Sequence, residues 1–259
     1  RVGLPLVAAF GVTAGYLADA ERRDHVVTTL AELRRAIETR PEFMVRVMKI
    51  EGASAEVAQD IHEILPVDFP VSSLDLDLDH MRGILAGLDA VERARIRVQP
   101  GGTLLVQITE RDPALIWRSG QGLEVLDAEG FRVGPLSHRA ARPDLPVIAG
   151  DAADAATGEA LAILAAAAPL HGRLRGLVRM GERRWDVVLT DDQRILLPVE
   201  RPVAALERVM AMDAAMDVLA RDVAVVDLRL GQRPTLRMRA NAVEELRRIR
   251  AVEREAGAE

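Results

Sequence analysis

Leu104, Val106 and Ile108 alternate with Thr103, Leu105, Gln107 and Thr109 behind a Pro100-Gly101-Gly102 turn, the period of two that a half-buried strand requires. Two further strands are predicted at residues 45–50, closed by Gly52, and 91–98. Between them the period changes to that of a helix. Ser54 stands as an N-cap with Glu56 close behind it, and Val57, Ile61, Ile64 and Leu65 form one apolar stripe that stops before Pro66. A second helix is expected from about Asp79, with Met81, Ile84, Leu85 and Leu88 inward. Leu74, Leu76 and Leu78 read as the buried face of an extended lead-in to it, with Asp79 as its cap. The order strand, helix, helix, strand, turn, strand suits a three-stranded sheet covered on one face by two helices.

Pro113 cannot donate to a ladder, and a second unit begins beyond it. Short apolar runs at 114–117, 123–126 and 131–133, with turn residues between them, predict a meander. A loop rich in Arg and Pro follows. The Ala-dense stretch 157–168 predicts a helix stopped by Pro169. Strands are expected at 174–180, 185–189 and 195–197, with turns at Gly181-Glu182 and Asp191-Asp192. Pro202 opens a longer helix marked by Leu206, Val209, Met210, Met216 and Leu219. A hairpin of residues 223–230 and 235–239 ends the unit, and the charged tail 241–259 repeats an apolar residue every third position, as a frayed helix would. The fold class is therefore α+β, with a mostly antiparallel β domain containing two helices after the smaller β-α-α-β-β domain.

At the N-terminus, residues 2–18 carry no charge and would span about 26 Å as a helix, slightly short of a bilayer core of about 30 Å. A first residue of Arg suggests that a flank preceding this span is missing, so the span is expected to be a truncated transmembrane helix. A signal peptide cut after Ala18-Asp19-Ala20 and a buried core helix are the competing readings. Gly3, Pro5, Gly11 and Gly15 disfavour the core helix. Residues 19–44 read as a juxtamembrane helical linker, with Val26, Val27, Leu30, Leu33 and Ile37 at helical spacing before Pro41.

Composition narrows the chemistry. The 259 residues are 49% hydrophobic and 29% charged, which is globular rather than disordered. A net charge of -6 and an aromatic share of 3% argue against nucleic acid, which needs basic surface and stacking rings. The absence of cysteine excludes thiolate catalysis, Cys-ligated metal and disulfides. His25, His62, His80, His138 and His171 form no i, i+3 or i, i+4 pair for a metal. Asp75, Asp77 and Asp79 resemble a calcium loop only at its start, because His80 stands where Gly is required and Ala86 where Glu is required. No nucleophile elbow, phosphate loop or dinucleotide fingerprint appears. The chain is thus expected to be no enzyme, with no cofactor and no small-molecule substrate.

The runs Val47-Met48-Lys49-Ile50-Glu51-Gly52, the 91–98 strand, Pro100 before Thr103-Leu104, Glu110-Arg111-x-Pro113 with Trp117, and a late Asp227-Leu228-Arg229 occur in this order behind one apolar segment. Together they resemble the POTRA and β domains of the FtsQ/DivIB bacterial cell-division proteins over residues 1 to 240. The resemblance implies a membrane helix at 1–18, a POTRA domain at 45–111, a β domain at 112–240 and a tail at 241–259. It further implies a divisome scaffold in the inner membrane, single-pass and largely periplasmic at the division septum, that recruits FtsB-like and FtsL-like single-pass partners. A periplasmic POTRA-containing chaperone or transport accessory that binds client strands is the alternative, and a hydrolase with an unrecognised site is a third.

Open sheet edges invite strand addition, and the last strand is the best candidate. Its Leu236 and Met238 face one way, either into the core or as a docking face, while Arg237 and Arg239 face the other. The family uses this hairpin for its partners, which implicates Arg229, Leu230, Thr235, Leu236, Arg237, Met238 and Arg239. Arg183, Arg184 and Trp185 are implicated by their position in the family. Leu230 and Met238 stand where many relatives place aromatic anchors.

Overall fold

The computed structural model describes residues 40–230, 233–244, 247 and 248, preceded by 24, 25, 27–29 and 32. The anchor expected at 2–18 lies outside the described residues. Of the expected linker helix, residues 24, 25, 27–29 and 32 are helical. Among the described residues no helix is long and apolar enough to cross a membrane. The chain divides into two compact units, Arg1–Glu110 and Arg111–Glu259.

The first unit runs β1 (Met44–Val45), β2 (Val47–Glu51), α1 (Ala55–Ile64), β3 (Val71–Ser72), α2 (Leu78–Ala86), β4 (Val91–Gln99) and β5 (Thr103–Glu110). Its sheet has the order β2-β5-β4, with β2 parallel and β4 antiparallel to the central β5. β1 and β3 pair separately, a small antiparallel addition that the sequence pattern does not announce. Ser54 caps α1 by accepting the Val57 N–H. Ile61 and Leu85 bury the inward stripes of the two helices in one cluster with Leu104 and Val106 of β5. The cap of α2 lies two residues before the expected one. Asp77, not Asp79, accepts the His80 N–H at 2.9 Å, so Leu78 is already helical, while Leu74 is exposed rather than buried.

The second unit contains β6 (Leu115–Arg118), β7 (Leu123–Leu126), β8 (Arg132–Leu136), β9 (Val147–Ala149), α3 (Thr157–Ala166), β10 (Leu174–Met180), β11 (Arg184–Leu189), β12 (Arg194–Leu196), α4 (Pro202–Met216), β13 (Val223–Asp227) and β14 (Thr235–Met238). One sheet takes all of its strands in the order β14-β13-β12-β11-β10-β9-β6-β7-β8. Five of these eight pairings are antiparallel. β6–β9, β9–β10 and β12–β13 are parallel. The architecture is α+β, as expected from the sequence, but β9 arises inside the stretch read as a loop. It joins the β6-β7-β8 meander to the rest of the sheet. One face is covered by α3 and α4, whose Ile163, Leu206 and Val209 share a core with Trp185, Val187, Ile195 and Val226. Ile116, Val125 and Leu145 form a separate small cluster.

Candidate partner-binding surface

The register across four strands sorts the expected contact residues by face. Val187, Ile195, Val226 and Leu236 lie in one cross-strand row from β11 to β14. The first three are fully buried, whereas Leu236 is 44% exposed and Met238 39% exposed. Both point to the core side of the sheet at its outermost strand, where cover is incomplete. The adjacent row, Asp186, Leu196, Asp227 and Thr235, points to the opposite side, as does the row Val188, Arg194, Val225 and Arg237. Every residue of β14 is exposed, and the strand ends the sheet.

Hydrogen bonding also orients the backbone of β14. Arg239 donates its N–H to the Asp222 carbonyl at 2.8 Å. Alternation along the strand then turns the Arg237 N–H toward β13 and those of Leu236 and Met238 toward the open edge. The far end of the strand is tied down by the Arg239 guanidinium, which donates to the Asp191 carbonyl at 2.9 Å.

The turn out of β13 is built by its own side chains. Asp227 accepts the Arg229 N–H at 3.0 Å and both arms of its guanidinium, at 2.9 Å from Nε and 2.6 Å from Nη2. That hydrogen bonding holds the Asp227 carboxyl below the usual carboxylate range, and raises the Arg229 guanidinium. Leu228 is buried between them in sequence and donates its N–H to the Leu196 carbonyl at 2.9 Å. Leu230 follows with 74% of its surface exposed.

On β11, Arg184 donates to Asp186 at 2.6 Å. Asp186 is nearly inaccessible, and burial pushes its carboxyl up even though Arg184, Arg194 and Arg229 pull it down. Arg184, Arg194 and Arg229 are thus gathered around two carboxylates on the sheet face away from the helices, and Arg237 stands on the same face in the row of Arg194. Beside Arg229 opens a groove of about 960 Å³, lined also by Pro198, Val199, Arg201 and Ala204.

Trp185 requires a correction. It was expected at the partner surface, but it is fully buried, because its position on β11 faces α3. Its indole Nε1 donates to Glu159 at 2.8 Å, and the same oxygen receives Arg179 at 3.1 Å, whose guanidinium lies over the indole ring. Arg183 is exposed in the adjoining turn. The surface therefore brings together Arg184, Arg229, Thr235 and Arg237, leaves Leu236 and Met238 on the reverse side, and excludes Trp185. Asp186 and Arg194 join the surface although neither stands out in the sequence. The i, i+2 alternation of Arg184 with Asp186 and of Asp227 with Arg229 is a signal for the pairs, but only the topology makes them neighbours.

Among the described residues no group of three acidic or histidine side chains stands where it could hold a metal ion. The model of the C-terminal domain of the cell division protein FtsQ/DivIB matches residues 115–229. Proteins named cell division protein FtsQ are similar over nearly the whole chain. That of Roseobacter litoralis is 49% identical over 98% of this chain and 87% of its own length. That of Dinoroseobacter shibae is 51% identical over 97% and 85%. A more distant relative from Agrobacterium fabrum is 32% identical over 78% of this chain and 63% of its own.

Proposed function

The chain belongs to the FtsQ/DivIB family of bacterial cell-division proteins, and from that premise we propose that it is a non-enzymatic scaffold of the division machinery. In this reading residues 2–18 anchor it once in the inner membrane. Residues 45–111 act as a POTRA domain and 112–240 as a β domain, both on the periplasmic side at the septum. FtsB-like and FtsL-like single-pass partners dock on the surface formed by β11 to β14. The observation that carries this reading is β14 itself. It is a terminal strand exposed on both faces, with outward N–H groups at Leu236 and Met238 and a cluster of arginines beside it.

A partner strand added at this edge gains main-chain hydrogen bonds, and acidic partner residues meet Arg237. Leu236→Pro removes an outward donor while leaving the β13 ladder intact, because proline is tolerated where the N–H faces outward. Arg237→Glu reverses an exposed charge. Each is expected to weaken partner binding about tenfold or more, measured by calorimetry and by co-purification from membranes. Circular dichroism melting establishes that the variants fold. Normal binding by both folded variants would place the partner elsewhere.

A further inference from the structure

Asp186 lies on the sheet face turned away from α3 and α4, where a carboxylate ordinarily reaches water, yet only 4% of its side chain is accessible. Its neighbours in the sheet are the reason to ask what it does there. Arg184, two residues away on β11, donates to its Oδ1 at 2.6 Å. On one side stand Val178 and Met180 of β10, which carry no charge, and on the other Leu196 and Arg194 of β12. Beyond them come Val225 and Asp227 of β13 with the Arg229 fork, then Thr235 and Arg237 of β14. The face therefore sets the cations Arg184, Arg194, Arg229 and Arg237 against the anions Asp186 and Asp227.

Stability does not explain the choice of an acid at this position. Burying a carboxylate costs free energy even when it is paired, and an uncharged residue of similar size is commonly as stable there or more so. Asp227 holds Arg229 with its own two oxygens. What the Asp186 carboxylate does do is cancel one positive charge in the array that an acidic partner is proposed to meet. A partner carboxylate on the accessible side of Arg184 would stand about 7 Å from Asp186, across one guanidinium, and repel it. Burial already pushes the Asp186 carboxyl up, which brings its proton within reach of mild acid.

We propose that Asp186 is a proton-coupled gate on the partner surface: ionised, it opposes an acidic segment arriving at Arg184, Arg194 and Arg237, and docking of that segment is accompanied by uptake of a proton on its carboxyl. This rests on the reading that partners dock on β11 to β14. The coupling is reciprocal. Negative charge on the partner strengthens the hold of Asp186 on its proton, and the proton strengthens the hold of the surface on the partner by the same factor. Affinity therefore rises as pH falls into the range where Asp186 titrates. The partner's own carboxylates act in the opposite sense, since they lose charge near pH 4 or so. Asp186→Asn separates the two effects, because it keeps an oxygen to accept Arg184, removes the charge and leaves the partner's titration in place.

The test uses the full chain in detergent, titrated by calorimetry with a peptide of about twelve residues in which alternating Val and Thr are followed by two Glu, and with its Gln counterpart. Between about pH 7.5 and pH 5.5 the parent should gain roughly threefold to tenfold in affinity for the Glu peptide, with binding heats that depend on the ionisation enthalpy of the buffer as proton uptake requires. Asp186→Asn should bind the Glu peptide about tenfold more tightly than the parent at the higher pH, with neither the rise in acid nor the buffer dependence. The Gln peptide should show no such rise with either protein. An equal pH response in the parent and the folded variant, or binding without proton uptake, would overturn the proposal alone. Weaker binding by the folded variant would do the same, and would make Asp186 a support that holds the arginines together. If Asp186→Asn fails to fold, the Asp186 carboxyl is followed by NMR in the parent, and a titration midpoint that the Glu peptide does not raise overturns the gate. A Glu peptide that binds neither protein at any pH would remove the docking reading itself, and the gate with it.

Discussion

Asp186 and Asp227 stand in one cross-strand row, separated by Leu196, and the protein treats them in opposite ways. Burial raises Asp186, whereas the Arg229 fork lowers Asp227. A carboxyl whose folded pKa is raised contributes stability that is present below its unfolded value and is lost as pH rises through the folded one; a lowered carboxyl does the reverse. Asp186 is therefore a liability at neutral pH that Arg184 restrains. Arg184→Ala is expected to cost about 3 kcal/mol at pH 7, because it strips a buried carboxylate of its nearest counter-charge. That cost should shrink as acid protonates Asp186, and thermal melts of the variant and the parent across pH 4 to 7, values of about the carboxylate range and above, provide the measurement. A constant cost across this range would mean that Arg184 matters for packing alone. This also disqualifies Arg184→Glu as a clean probe of partner binding, since it sets two acids against each other under partial burial.

At the level of the element, β9 separates what alternation can and cannot disclose. β7 and β10 lie at the residues where their apolar runs predict them, and Pro202 opens α4 as expected. β9 is three residues long, directly preceded by Pro146 and carrying only one fully buried side chain, Ile148, so its pattern is indistinguishable from a loop. Its role is visible only from its parallel pairings with β6 and β10, which connect residues distant in sequence. The same limit applies to the candidate surface. Exposed strand ends and turn chemistry were legible, whereas the burial of Trp185 depends on which face α3 covers. Gly150, just after β9, gives this junction a sharp test. It has φ +107°, a Cβ there would collide with the Arg179 carbonyl, and its own carbonyl accepts the Trp117 indole N–H at 3.1 Å. Gly150→Ala is expected to cost about 2 kcal/mol or more. Gly158→Ala, in α3 with open space around it, should gain about 0.5 kcal/mol, and urea melts of the two variants compare them directly.

For the whole molecule, the two units have separate cores, one centred on Ile61, Leu85 and Leu104 and the other on Trp185, Ile195 and Leu206. Fragments 40–110 and 111–248 are expected to melt cooperatively on their own, by calorimetry or circular dichroism. A fragment that stays unfolded would show that its core borrows from the other. The position of β14 in the chain has a consequence in time. Every other described strand precedes it, and β13 reaches its place beside β12 only after the intervening α4 has been made. A chain released early from the ribosome, at any point before residue 235, lacks the edge on which the proposed assembly depends. Under that reading, synthesis itself acts as a checkpoint: an incomplete copy still carries its first unit, but lacks β14, the strand with which the proposed partner of the second unit would pair.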